Sequence, residues 1–193
     1  YKNPEATRQV LFDYWYHTGD AGSIDNDGCL FFEDRISEIM SLSTGVKFAP
    51  TKIEAMLRCS RYIGDCIVVG GSKEYVSALI AIDLGNAGKF AERKHITYTT
   101  FVDLSQRPEV CELIRREVQK VNGALPKDSR VKRFVNMPKQ FDPDEAELTR
   151  TAKLKRVLLE EKYRDIIDAI YGGKEELWVE TPVKYRDGRE GKV

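Results

Sequence analysis

The apolar positions of this chain fall into patterns that predict most of its elements. Near the end, Leu154, Val157, Leu158, Ile166, Ile167 and Ile170 recur at helical spacing, and Gly172-Gly173 closes the run. This predicts a helix opening within residues 147–156, with Thr149 or Thr151 as its cap. A second amphipathic helix opens at Pro108, turns Val110, Leu113, Ile114, Val118 and Val121 inward, and closes at Asn122-Gly123. Cys66-Ile67-Val68-Val69 and Val76-Ser77-Ala78-Leu79-Ile80-Ala81-Ile82 are continuous apolar runs separated by Gly70-Gly71-Ser72. They read as two buried strands joined by a turn.

The remaining segments are shorter. Asn3-Pro4-Glu5 starts a helix, with Asn3 as cap and Pro4 at its first position. Tyr14-Trp15-Tyr16 suggests a partly buried strand, Asp25-Asn26-Asp27-Gly28 a hairpin turn, and Cys29-Leu30-Phe31-Phe32 the returning strand. A strand is expected around Ile36, Ile39 and Met40, a turn at Ser43-Thr44-Gly45, and a short strand over Val46-Lys47-Phe48-Ala49. Pro50 opens a helix whose apolar face is Ile53, Met56 and Leu57, and Asn86 is a candidate cap for a helix carrying Phe90 and Ala91. Val131-Lys132-Arg133-Phe134-Val135 alternates like a strand. The tail after Gly173 alternates too, with Asp187-Gly188 as a turn and Pro182 marking an edge strand. Helices and strands mix without a regular βαβ repeat. The expected class is α+β, a small mixed or antiparallel sheet with packed helices. A hairpin unit over residues 1–35, a main domain over 36–173 and an edge hairpin over 174–193 are the expected divisions.

Composition narrows the function. Of 193 residues, 41% are hydrophobic, enough for a core, and Lys+Arg and Asp+Glu are both 31. Zero net charge argues against a general nucleic-acid or polyanion binder and leaves room only for a local basic patch. Four cysteines (Cys29, Cys59, Cys66, Cys111) and two histidines (His17, His95) show no zinc spacing and read as reduced thiols of a cytoplasmic protein. No apolar run is long enough to span a bilayer and no signal peptide opens the chain. Tyr1 suggests a piece of a longer protein.

The predicted C-terminal helix places Lys153, Lys155 and Arg156 in its first turn, where cations oppose the helix dipole. One reading is capture of a phosphate or carboxylate by free N–H groups and lysine; the other is a solvated basic turn. Thr18-Gly19-Asp20 offers a carboxylate able to accept from two neighbouring hydroxyls, the pattern used for ribose. Arg35 could join it from the next strand, or instead pair with Glu33 or Asp34.

Taken in order, five stretches form a series. They are Tyr1-Lys2-Asn3-Pro4-Glu5-Ala6-Thr7; Thr18-Gly19-Asp20; Asp27-Gly28-Cys29-Leu30-Phe31-Phe32-Glu33-Asp34-Arg35; Thr44-Gly45-Val46-Lys47-Phe48-Ala49-Pro50-Thr51-Lys52-Ile53-Glu54; and Leu148-Thr149-Arg150-Thr151-Ala152-Lys153-Leu154-Lys155-Arg156. The series resembles the C-terminal part of the AMP-forming acyl-CoA synthetases, and its last motif looks most like the long-chain fatty acid–CoA ligase branch. The resemblance covers about residues 1–172. It implies that 1–35 is the edge of a large adenylation domain and 36–173 a mobile C-terminal lid. It implies that Asp20 and Arg35 hold the ATP ribose, that Ser37 is the hinge, and that Gly45 and Lys47 lie in a loop near the pantetheine of coenzyme A. Lys153 would bridge the carboxylate substrate and the α-phosphate during adenylation. ATP with Mg2+ would be bound mainly by the upstream domain, with coenzyme A as co-substrate and a long-chain or other carboxylic acid as acyl donor. The family's phosphate loop and acyl pocket lie upstream, so this chain alone is expected not to form acyl-adenylate. Asp34 stands where many relatives have glycine, Ser37 where they carry a charged hinge residue, and Ala152 where they have glycine. A non-catalytic interaction module with the lid fold is the alternative. A weak nucleic-acid binder using Lys153, Lys155 and Arg156 is disfavoured by zero net charge.

Overall fold

A computed structural model describes residues 2–142, 147–148 and 154–174 in full and the backbone of 182–184 and 190–192. The chain opens with α1 (Pro4–Val10), capped by the Asn3 side chain, which accepts from the Ala6 N–H at 3.0 Å. Two short hairpins follow. β1 (Leu11–Phe12) pairs with β2 (Trp15–Tyr16), and β3 (Asp20–Ile24) pairs antiparallel with β4 (Leu30–Arg35). Tyr14, Trp15 and Tyr16 are exposed rather than partly buried. Within the described residues no element covers the apolar side chains of this ribbon, which also presents Phe12, Leu30 and Phe32 to solvent.

Ile36–Glu38 forms a single 3-10 turn, not the start of a strand, and leads into β5 (Met40–Ser41) and β6 (Lys47–Phe48). α2 (Pro50–Arg58) then hands over to the central sheet: β7 (Ile63–Val69), β8 (Val76–Ile82) and β9 (Val131–Asn136), in the order β7-β8-β9. β7 and β8 are antiparallel; β8 and β9 are parallel. A parallel neighbour requires a crossover. Here it is α3 (Leu84–Arg93), α4 (Phe101–Gln106) and α5 (Pro108–Ala124).

The sheet is buried on both faces. Cys66, Val68, Ala78 and Ile80 pack with α2, α3 and α5, whereas Ile67, Val69, Leu79 and Ala81 pack with residues of the last two helices. Those are α6 (Arg156–Lys162) and α7 (Arg164–Tyr171). Double burial is why β7 and β8 read as unbroken apolar runs. β10 (Pro182–Lys184) and β11 (Glu190–Lys192) form the antiparallel pair expected of the tail; the turn at Asp187-Gly188 lies outside the described residues.

Three local expectations need correction. α3 is capped by Asp83, whose carboxylate accepts from the Asn86 N–H at 2.8 Å, so Asn86 is the recipient of the cap. α5 runs on to Ala124, and the Asn122 side chain, bonded to both backbone groups of Val131 at 2.9 Å each, aligns β9. The C-terminal helix begins at Arg156 with no side-chain cap and is interrupted at Tyr163. Thr149 and Thr151 lie outside the described residues.

Candidate functional site

Asp20 and Arg35 face each other across the last rung of the β3–β4 ladder, and the guanidinium lies 3.0 Å from the Asp20 carboxylate. The same Nη1 donates to the Thr18 carbonyl at 2.9 Å, and the Asp20 N–H donates to the Thr18 hydroxyl at 3.1 Å. Gly19, with φ +76°, makes the corner that brings Thr18 back over Arg35. Both charged side chains remain open to solvent, at 35% for Asp20 and 61% for Arg35, so an incoming polar ligand can reach either. The pairing with Asp20 replaces the alternatives of Glu33 or Asp34 as Arg35's partner. Ser37 is exposed within the 3-10 turn that follows.

Gly45 lies in a separate exposed turn between β5 and β6, and Lys47 is the exposed first residue of β6. The turn is closed by the Gly45 N–H to the Leu42 carbonyl and the Leu42 N–H to the Val46 carbonyl, both 2.9 Å. Gly45 adopts φ +82° with open space around its Cα. The loop is braced on the β7–β8 turn: the Ser43 N–H reaches the Lys73 carbonyl and the Ser72 N–H the Ser41 carbonyl, at 2.8 Å each.

Lys153 lies outside the described residues, but both feet of its segment are described. Leu148 and Leu154 form an antiparallel bridge, and the Lys155 N–H donates to the Glu147 carbonyl at 2.9 Å. Glu147 is fully buried. Its Oε1 accepts from the Tyr163 hydroxyl at 2.6 Å and Lys162 at 2.7 Å, with Lys139 at 3.5 Å; its Oε2 accepts from the Asp142 N–H at 2.7 Å. Burial alone would push this carboxyl up, but Lys162, Tyr163 and the Asp142 N–H outweigh it and hold the group below its ordinary range.

The other foot is Arg156. Its guanidinium donates to Glu54 Oε1 and to the Val68 carbonyl, both at 2.7 Å, and Nε lies 3.5 Å from Glu38. Glu54 in turn accepts from the Val68 N–H at 2.8 Å. β7 is the outer strand of the sheet, and Val68 turns both backbone groups outward. The Glu54–Arg156 pair satisfies both, standing in for a missing neighbour strand. Burial pushes the Glu54 carboxyl up while Arg156 and the Val68 N–H pull against it. Within the turn read as either an anion trap or a solvated basic turn, Arg156 is neither: its charge is consumed by the fold.

Sequence reasoning missed Glu54, Glu147 and Asp34 as anchors. Asp34 is 1% exposed and accepts from the Arg35 N–H at 2.8 Å and the Thr51 N–H at 3.1 Å. Glu54 carried a legible signal, an acid among the buried positions of α2 beside Ile53 and Leu57. Among the described residues no helix is long and apolar enough to cross a membrane.

Comparison with known proteins gives this geometry a family. Residues 37–175 match the model of the AMP-binding enzyme C-terminal domain. Over 172 residues the chain is 34% identical to the long-chain-fatty-acid–CoA ligase FadD15 of Mycobacterium tuberculosis, covering 89% of this chain and 29% of that protein. It is 26% identical to the human long-chain-fatty-acid–CoA ligase ACSBG1, covering 81% of this chain and 24% of that protein. The chain thus spans less than a third of the length of these relatives. In fold it is similar to the adenylation domain of a carboxylate reductase from Mycobacterium chelonae, with a TM-score of 0.67 at 24% identity over 89% of this chain and 25% of that one. It is also similar to the corresponding domain from Segniliparus rugosus, solved with AMP and a co-purified carboxylic acid, with a TM-score of 0.65 at 21% identity over 90% of this chain and 26% of that one. The fold, the position of the match immediately after the Asp20–Arg35 pair, and the sequence relatives agree: the chain belongs to the AMP-binding enzyme C-terminal domain family.

Proposed function

We propose that this chain is the lid-bearing C-terminal part of an ATP-dependent ligase that joins a long-chain fatty acid to coenzyme A through an acyl-adenylate. The observation that carries the reading is the Asp20–Arg35 pair, held at 3.0 Å and open to solvent at the point where the family domain begins. A carboxylate fixed beside a guanidinium suits a ribose: the carboxylate accepts from both hydroxyls and the guanidinium donates back. Residues 1–35 are then the last edge of the large domain. The exposed face of Phe12, Trp15, Leu30 and Phe32 is where the rest of that domain packs. Residues 36–173 are the lid and 174–193 an extension. Lys153, on a segment whose feet are tied by Glu147 and Arg156, is the ammonium placed between the fatty carboxylate and the α-phosphate. A point charge suits that task, because two anions must approach each other before the new P–O bond forms. Thioester formation then needs the lysine withdrawn and the Gly45–Lys47 loop presented to coenzyme A, a swing about Ser37. ATP brings Mg2+ with its phosphates; among the described residues no group of three His, Cys, Asp or Glu side chains gathers, and we assign the ion to the upstream domain. Four free thiols accord with a cytoplasmic setting.

The test uses the full-length protein that carries this chain. With a long-chain fatty acid it should catalyse ATP–pyrophosphate exchange. Lys153→Ala should abolish that exchange while sparing thioester formation from preformed acyl-adenylate, and Asp20→Ala should raise the KM for ATP. Absence of exchange with any fatty acid, with docking of the two units intact, would instead support a non-catalytic interaction module.

A further inference from the structure

α2 has no cap of its own. The residue before it is Ala49, which has no side-chain acceptor for the free N–H groups of the first turn. The helix borrows one from Asp34, on β4, across the 3-10 turn Ile36–Glu38. A serine or aspartate at position 49 would satisfy the same N–H locally. Both oxygens of the Asp34 carboxylate are engaged: Oδ1 accepts from the Arg35 N–H and Oδ2 from the Thr51 N–H, with the residue buried. A second strap runs beside it, between Glu33 of β4 and Lys52 of α2. Both straps join the ribbon that bears Asp20 and Arg35 to the domain that follows, and both bypass Ser37.

We propose that Asp34 is a positioning residue that latches the Asp20–Arg35 ribbon to the N-terminus of α2, made in one orientation of the two units and released in the other. This rests on the reading that the units swing about Ser37. A rigid-body rotation there moves the α2 N-terminus away from β4, and a hydrogen bond that spans the pivot cannot survive a large rotation. Because only one orientation satisfies the buried carboxylate, the latch biases the equilibrium between the two. It also ties that bias to Arg35 through the backbone N–H that Asp34 holds.

In the full-length enzyme, adenylation and thioester formation are measured separately for Asp34→Asn, for Asp34→Asn with Ala49→Ser, and for Lys153→Ala. Asp34→Asn should change the ratio of the two half-reaction rates by about tenfold, the population shift that one charged hydrogen bond supports. Ala49→Ser gives α2 a local cap, so the double variant should recover its melting temperature while the ratio stays shifted. In the unmodified enzyme, the Thr51 amide should exchange hydrogen slowly with one ligand set, either an acyl-sulfamoyl adenosine or AMP with coenzyme A, and rapidly with the other. A ratio within twofold of the parent, or one that recovers together with the melting temperature, makes Asp34 a cap alone and overturns the latch. Equal protection of the Thr51 amide in the two ligand states does the same. If Lys153→Ala slows both half-reactions equally, the swing itself is wrong and the latch falls with it; if it separates them while Asp34→Asn does not, only the latch fails.

Discussion

Replacing Arg156 by methionine tests the view that the Glu54–Arg156 pair holds the edge of β7. Arg156 donates twice, to Glu54 and to the Val68 carbonyl, each at 2.7 Å, with its side chain 15% exposed and that of Glu54 6% exposed. Removing the guanidinium leaves a buried carboxylate with one described donor, the Val68 N–H, and leaves the Val68 carbonyl bare. Breaking a buried pair from one side costs about 3–5 kcal/mol. That is a large share of the ~5–15 kcal/mol that holds a typical domain together. The double variant Arg156→Met with Glu54→Leu removes the stranded charge. It still strands both backbone groups of Val68, at about 1–3 kcal/mol each. It should therefore remain destabilised, yet by at least ~1.5 kcal/mol less than the sum of the single variants. Urea unfolding of the four proteins, with the slope unchanged, measures this. pH supplies a second axis. Burial already raises the Glu54 carboxyl above its ordinary value of 4.5, and losing Arg156 raises it further. A carboxyl raised by folding contributes stability that is present below its unfolded value and lost as pH rises through the folded one. The cost of Arg156→Met should thus be greatest near neutrality and shrink as pH falls toward 4.5. Additivity within ~0.5 kcal/mol, or a cost independent of pH, would refute the argument.

Three further outcomes are expected. Glu147 is held below its ordinary value of 4.5, so its stabilisation is present above that pH and lost as pH falls through the lower folded value; Glu147→Gln should flatten the melting-temperature profile below pH 4.5 and lower it at neutrality, and an unchanged profile would contradict the assignment. Gly45→Ala meets no atom but must hold φ +82°, so it should cost about 1–2 kcal/mol from backbone strain alone; in the full-length enzyme it should slow thioester formation more than adenylation. Cys29 and Cys59 are exposed and should react with a thiol reagent in the native chain, whereas the Cys66 thiol, buried and pushed up beyond any useful reactivity, should react only on unfolding, which timed labelling would show.

What the sequence made legible were features with local causes. The apolar runs of β7 and β8, the prolines at the starts of α1, α2 and α5, and the turn at Gly45 all stand where pattern and chemistry put them. The pairing of Asp20 with Arg35 was legible too, because a hairpin turn between them fixes which residues meet. Two of the errors share a different cause: a polar side chain serves a partner remote from its own element. Asn122 looked like a helix end because its service to Val131 depends on where β9 lies. Arg156 reads from the sequence as part of a solvated or anion-binding basic turn because its acceptors, Glu54 and Val68, are about a hundred residues away. Tyr14, Trp15 and Tyr16 looked partly buried because aromatics favour cover, and the described residues give them none.

The second face of the central sheet has a consequence for how the molecule is made. Among the described residues, Ile67, Val69, Leu79 and Ala81 share their core with Met137 and Phe141 and take most of the rest of their cover from Leu159, Tyr163, Ile166, Ile167 and Ile170, far later in the chain. A nascent polypeptide leaving the ribosome therefore exposes a greasy β-surface through most of the synthesis of this domain, and completes its folding only when the last helices emerge. Premature termination before Arg156 would leave a product suited to chaperone capture or precipitation rather than a smaller working protein.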